Sequence, residues 1–151
     1  MKKILMVCLG NICRSPLAEG ILQSKLTSEF FKVDSAGTAG YHVGELPDER
    51  SIEVAKKYGI DITNQRSRKF VKSDFKEFDL IYAMDKSNYH NILSIIDDNE
   101  DARKVKMILN EQYPTENKNV PDPYYGGNQG FENVYKMLDE ACEIIASKLI
   151  N

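Results

Sequence analysis

The chain has 151 residues, 42% of them hydrophobic and 28% charged, which fits one compact domain and lies outside the disordered and fibrous composition classes. A net charge of -3 lacks the basic footprint with which a nucleic-acid binder neutralises phosphates, so no nucleic-acid partner is expected and any anion site is local. No run approaches the roughly 20 apolar residues that cross a bilayer. Three cysteines, an odd number, do not suggest a secreted disulfide scaffold, so the expectation is a cytoplasmic protein with reduced thiols and no membrane partner.

Met1-Lys2-Lys3 followed by the apolar Ile4 to Leu9 superficially resembles the start of a signal peptide, but the run is short and leads straight into Gly10, Asn11 and Arg14. It reads as a buried strand. Leu17, Ala18, Ile21, Leu22 and Leu26 then recur at helical spacing. Ser15-Pro16 before them predicts a helix that begins at Ser15, with the serine as cap and proline in the first helical position. A short apolar run at Val33 to Ala36 reads as a strand, and Asp48 to Tyr58, stopped by Gly59, as a helix. A strand at Leu80 to Met84, a helix from Asp85 through Ile96 and a strand at Val105 to Leu109 follow.

Pro121, Pro123, Gly126, Gly127 and Gly130 mark a loop. Behind it Phe131, Val134, Tyr135, Leu138, Ala141, Cys142, Ile145 and Leu149 form the buried stripe of a long terminal helix. Short strands alternating with helices predict a single doubly wound α/β domain with a parallel sheet, whose ligands bind beyond the carboxyl ends of the strands.

The segment Val7-Cys8-Leu9-Gly10-Asn11-Ile12-Cys13-Arg14-Ser15-Pro16 sits at such an end. Gly10 and Asn11 tolerate left-handed backbone, so the residues Leu9, Gly10, Asn11, Ile12, Cys13 and Ser15 can curl into a nest whose N–H groups face an anion. The following helix adds its positive end, and Arg14 offers a planar fork to two phosphate oxygens. Groups that hold phosphate also stabilise a thiolate, which makes Cys8 a nucleophile, and the Ser15 hydroxyl can donate to it when it acts as leaving group. The Gly-Lys-Ser/Thr ending of a nucleotide-binding loop is absent.

With that loop, the chain resembles the low-molecular-weight protein tyrosine phosphatases over nearly its whole length. The resemblance rests on residues 7 to 16, on Val-Asp-Ser-Ala-Gly-Thr at 33 to 38, on Ala-Met-Asp-Lys-Ser-Asn at 83 to 88 and on Val-Pro-Asp-Pro-Tyr-Tyr-Gly at 120 to 126. It implies four parallel strands flanked by helices on both faces, and phosphotyrosine hydrolysis through a phosphocysteine. It also implies Cys8 as nucleophile, Arg14 as phosphate clamp, Asp122 as general acid, and Asn11, Ser15 and Ser35 as the hydrogen-bond network that shapes the loop. Partners are then tyrosine-phosphorylated proteins, with phosphate or other oxyanions at the loop, and no cofactor.

Read alone, Asp122 between two prolines is a turn residue; beside such a loop a carboxylic acid there can protonate a departing ester oxygen. Tyr41, Tyr124 and Tyr125 are placed to wall a slot that accepts a phenyl ring. His42 and His90 read as solvated surface residues. Many relatives carry a histidine that supports the serine network where this chain has Asn64-Gln65-Arg66, and a glutamine amide can replace it as donor or acceptor.

A protein arginine phosphatase shares the fold and loop but typically has threonine at the position of Ile12, where a branched apolar residue suits an aromatic ring. A related arsenate reductase needs cysteines that residues 79 to 98 lack. A thiol redox sensor built on Cys8 and Cys13 has no use for Arg14 and Asp122.

Overall fold

Lys2–Cys8 forms β1, fully buried from Ile4 onward, because its side chains alternate between two apolar layers. Ile4, Met6 and Cys8 point into one, Leu5 and Val7 into the other. The protein is described by a computed structural model covering residues 1–97 and 100–151. Phe31–Gly37 (β2) and Leu80–Ala83 (β3) pair with β1 on either side, and Val105–Met107 (β4) pairs with β3, all parallel, giving the strand order β2-β1-β3-β4. The expected four-stranded parallel sheet is present. Since the chain steps from β1 outward to β2 and later returns to the other side as β3, the crevice between the carboxyl ends of β1 and β3 is the topological switch point.

Helices cover both faces. Arg14–Lys25 (α1), Glu49–Lys57 (α2) and Gly127–Ile150 (α5) pack over the larger core with Leu17, Ile21, Val54, Leu138 and Ile145. Asp74–Glu77 (α3) and Lys86–Leu93 (α4) cover the smaller one with Phe75 and Ile92. Among the described residues, no helix is long and apolar enough to cross a membrane.

Several boundaries differ from expectation. Helix α1 begins at Arg14, with Cys13 as its N-cap and no side-chain capping bond, so Pro16 is its third residue instead of its first and Ser15 does not cap. Gly127 and Gly130 belong to α5 and not to the loop. Gly127 takes φ +67 at the very start of that helix, where a glycine costs little. Helix α4 ends at Leu93 instead of Ile96, and β4 at Met107, because Ile108–Glu111 winds into a 3-10 turn. Helix α2 agrees from cap to cap: the Asp48 carboxylate accepts from Arg50 N, and Tyr58 closes the other end.

Candidate active site

The loop after β1 is held by its carbonyls. Thr38 N and Ala39 N donate to the Cys8 and Leu9 oxygens, Ser67 Oγ to Gly10 O, Asp48 N to Ile12 O and Ser51 Oγ to Cys13 O. Among the described residues no protein acceptor takes the N–H groups of Leu9 to Cys13, which leaves them for an anion. Of the two candidates in this loop, Asn11, at φ 57, adopts the left-handed conformation and Gly10 does not. Gly37 permits the close approach of β2, since a Cβ there would stand 2.7 Å from Leu9 O.

Asn11 is locked by its own side chain. Oδ1 accepts from Arg68 N at 3.0 Å, which fixes the amide orientation, and Nδ2 donates to Ser15 Oγ at 2.8 Å and to Ser35 Oγ at 2.9 Å. Ser15 Oγ accepts from Asn11 and stands 3.0 Å from Cys8 Sγ, where its own O–H can donate to a thiolate. The serine thus serves the sulfur instead of the helix. Ser35 in turn donates to Glu19 Oε1 at 2.7 Å. Burial pushes Glu19 up to about 7; the Asp34 carboxylate pushes the same way, against the Ser35 hydrogen bond and the Arg68 and Lys32 charges. Gln65 does not join this network: its Nε2 donates to Pro16 O at 3.1 Å. A side chain that reaches the backbone of α1 leaves Ser35 to Glu19, a residue that carries no motif in the sequence.

Arg14 is 3% exposed. Nη1 donates to Asp85 Oδ2 at 2.7 Å and to Val120 O at 2.9 Å, while Nη2 faces Asp122 Oδ2 at 3.8 Å. Asp85 also caps α4 through Asn88 N; it follows β3 as Cys8 ends β1, so the switch point supplies both the thiol and the anchor of the guanidinium. Asp122 begins the 3-10 turn Pro123–Tyr125, accepting from Tyr124 N at 3.1 Å.

A cavity of about 280 Å³ brings together Cys8, Leu9, Gly10, Ile12, Cys13, Arg14, Tyr41, His42, Asp122, Tyr124 and Tyr125. Asn11, Ser15 and Ser35 lie buried behind it. Tyr41 and Tyr125 are 76% and 92% exposed and stand at its rim, and Tyr124 meets Tyr125 edge to face at 5.0 Å. His42 lines the cavity too, with Nδ1 2.6 Å from Glu45 Oε2. Burial foremost, together with the Asp48 charge, pushes the Cys13 thiol above its ordinary value. A larger cavity of about 620 Å³ at the β4 edge is lined by Lys86, Tyr89, His90, Lys106 and others, with neither cysteine nor arginine among them.

Known proteins are similar to this chain over most of its length. The yeast Schizosaccharomyces pombe has a low molecular weight phosphotyrosine protein phosphatase 45% identical over 90% of this chain and 89% of its own length. The human protein of the same description is 37% identical, over 97% of this chain and 95% of its own. The crystal structure of a protein tyrosine phosphatase from Entamoeba histolytica, with Hepes in the active site, superposes with a TM-score of 0.92 at 40% identity, covering 99% of this chain and 97% of that one. The model of the family described as low molecular weight phosphotyrosine protein phosphatase matches residues 3–151, and to that family the chain belongs.

Proposed function

We propose that the chain, as a single domain over residues 1–151, hydrolyses phosphotyrosine in proteins with Cys8 as nucleophile, Arg14 as clamp and Asp122 as general acid. The family is one of cysteine-dependent phosphatases. The observation that carries the assignment of roles is the single cavity into which Cys8, Arg14 and Asp122 all open, walled by Tyr41, Tyr124 and Tyr125. In the first step Cys8 Sγ forms a bond to phosphorus as the P–O bond to the tyrosine breaks, and Asp122 passes its proton to the departing oxygen. In the second, the Asp122 carboxylate takes a proton from water as that water attacks phosphorus. The S–P bond breaks, and the Ser15 hydroxyl 3.0 Å from Cys8 Sγ donates to the returning thiolate. Arg14 and the loop N–H groups hold the phosphoryl oxygens throughout.

The Hepes in the Entamoeba enzyme, a sulfonate, supports an oxyanion at the loop. Phosphotyrosine proteins are the partners this reading names, and the free, buried Cys8, Cys13 and Cys142 support a reducing, cytoplasmic setting. Steady-state turnover of p-nitrophenyl phosphate in EDTA tests it: wild type turns over, and Cys8→Ser and Arg14→Ala do not. No turnover by wild type leaves the thiol redox sensor.

A further inference from the structure

Arg50 stands outside the loop and outside the cavity, yet it joins the two parts that the reaction must hold at a fixed spacing. Nε and Nη2 donate to Asp48 Oδ1 and Oδ2, both at 3.0 Å, a bidentate fork, and Nη1 donates to Tyr124 O at 3.0 Å. The guanidinium also lies over the rings of Tyr124 and Phe131, 5.3 and 4.5 Å from their centroids. Asp48, on its other side, donates its backbone N–H to Ile12 O of the cradle at 2.7 Å. The start of α2 therefore grips the cradle with backbone and the Asp122 turn with a side chain.

Tyr124 is held at both ends: its N–H by Asp122 Oδ1 at 3.1 Å, its carbonyl by Arg50. The Asp122 side chain is 44% exposed and stands 3.8 Å from Arg14, so the backbone of its turn decides where the carboxyl points. We infer that Arg50 is a positioning residue for proton transfer: through Tyr124 it fixes the Asp122 carboxyl over the cradle, with Asp48 as the anchor. The inference rests on the reading of Asp122 as the acid. A planar fork satisfies both partners at once, which a lysine ammonium does less well.

The test is the rate of phosphocysteine formation, isolated by rapid quench, across aryl phosphates of rising leaving-group pKa, with inhibition by inorganic phosphate measured alongside. Arg50→Ala should slow phenyl phosphate about tenfold or more while barely touching p-nitrophenyl phosphate, and phosphate inhibition should stay as in wild type because the cradle is untouched. Asp48→Asn, which keeps a capping side chain on α2, should shift the profile in the same direction, and Arg50→Lys should restore part of it. In an Asp122→Asn background, Arg50→Ala should add no further dependence on the leaving group. Equal slowing of all substrates, or weakened phosphate inhibition, overturns the inference and makes Arg50 a general support. If Asp122→Asn alone leaves the leaving-group profile flat, the acid assignment itself fails. If Asp122→Asn steepens the profile and Arg50→Ala does not, the Arg50 inference alone falls.

Discussion

Arg14 and Asp85, 71 residues apart in sequence, meet at 2.7 Å through Nη1 and Oδ2, and this pair aims the guanidinium whose other nitrogen faces Asp122. The pair has two opposing effects on phosphate: the carboxylate orients the fork and also cancels part of its charge. Asp85→Asn keeps a side chain that caps α4 but removes that charge. Loss of orientation should lower kcat about tenfold, while inorganic phosphate inhibits as well as before or better. A mutant with unchanged kcat and weaker phosphate inhibition contradicts the orienting role.

Glu19 makes stability depend on pH in a definite direction. Its value of about 7 lies above the ordinary 4.5, so between those values the folded chain keeps a proton that the unfolded chain has released. Stability contributed by this group is whole below the ordinary value and declines as pH rises through that window, by at most about 3 kcal/mol. Glu19→Gln removes the titration and keeps an acceptor for Ser35. Urea unfolding of both proteins at about pH 5 and pH 8 should show the variant gaining on wild type at the higher pH. Parallel pH dependence in the two proteins rules the titration out.

Ile12 is half-buried and lines the cavity, where a branched apolar side chain suits a phenyl ring and not a guanidinium. Wild type should cleave phosphotyrosine peptides in preference to phosphoarginine peptides. The ratio of kcat/KM values should move toward phosphoarginine in Ile12→Thr. A wild type that prefers phosphoarginine overturns the selectivity.

Asp122 is tested through the leaving group. A tyrosine phenolate has a conjugate-acid pKa of roughly 10 and departs poorly unprotonated, so Asp122→Asn should slow phosphocysteine formation from phenyl phosphate on the order of a hundredfold. A nitrophenolate needs little help and should be slowed far less. Equal slowing of both substrates makes Asp122 a brace for its turn.

Much of this was legible along the chain, and the failures share a cause. Strand β1 and the helix after it were readable because Ile4 to Cys8 is an unbroken apolar run and Leu17 to Leu26 keeps helical spacing. The pairing of the Ser15 hydroxyl with Cys8 is legible from the loop and agrees with the structure, but its reading as a cap fails, because Ser-Pro is a local signal and the loop folds back so that Cys8 Sγ and Asn11 Nδ2 take the hydroxyl. Glu19 and Asp85 escape sequence reading for the same reason: each acts on a residue distant in sequence, Ser35 and Arg14. Asp122 alone would pass for a turn residue, which it also is; resemblance to the family singled it out. Gln65 was credited with the serine network, but reach decided otherwise, and its amide bonds Pro16 O.

The central claim is that phosphate passes through Cys8. Acid-quenched wild type, mixed with excess p-nitrophenyl phosphate and digested, should yield a peptide carrying one phosphoryl group on Cys8, formed with the burst of nitrophenol and absent from Cys8→Ser. A phosphoryl group on any other residue, or a burst that persists in Cys8→Ser, contradicts the account.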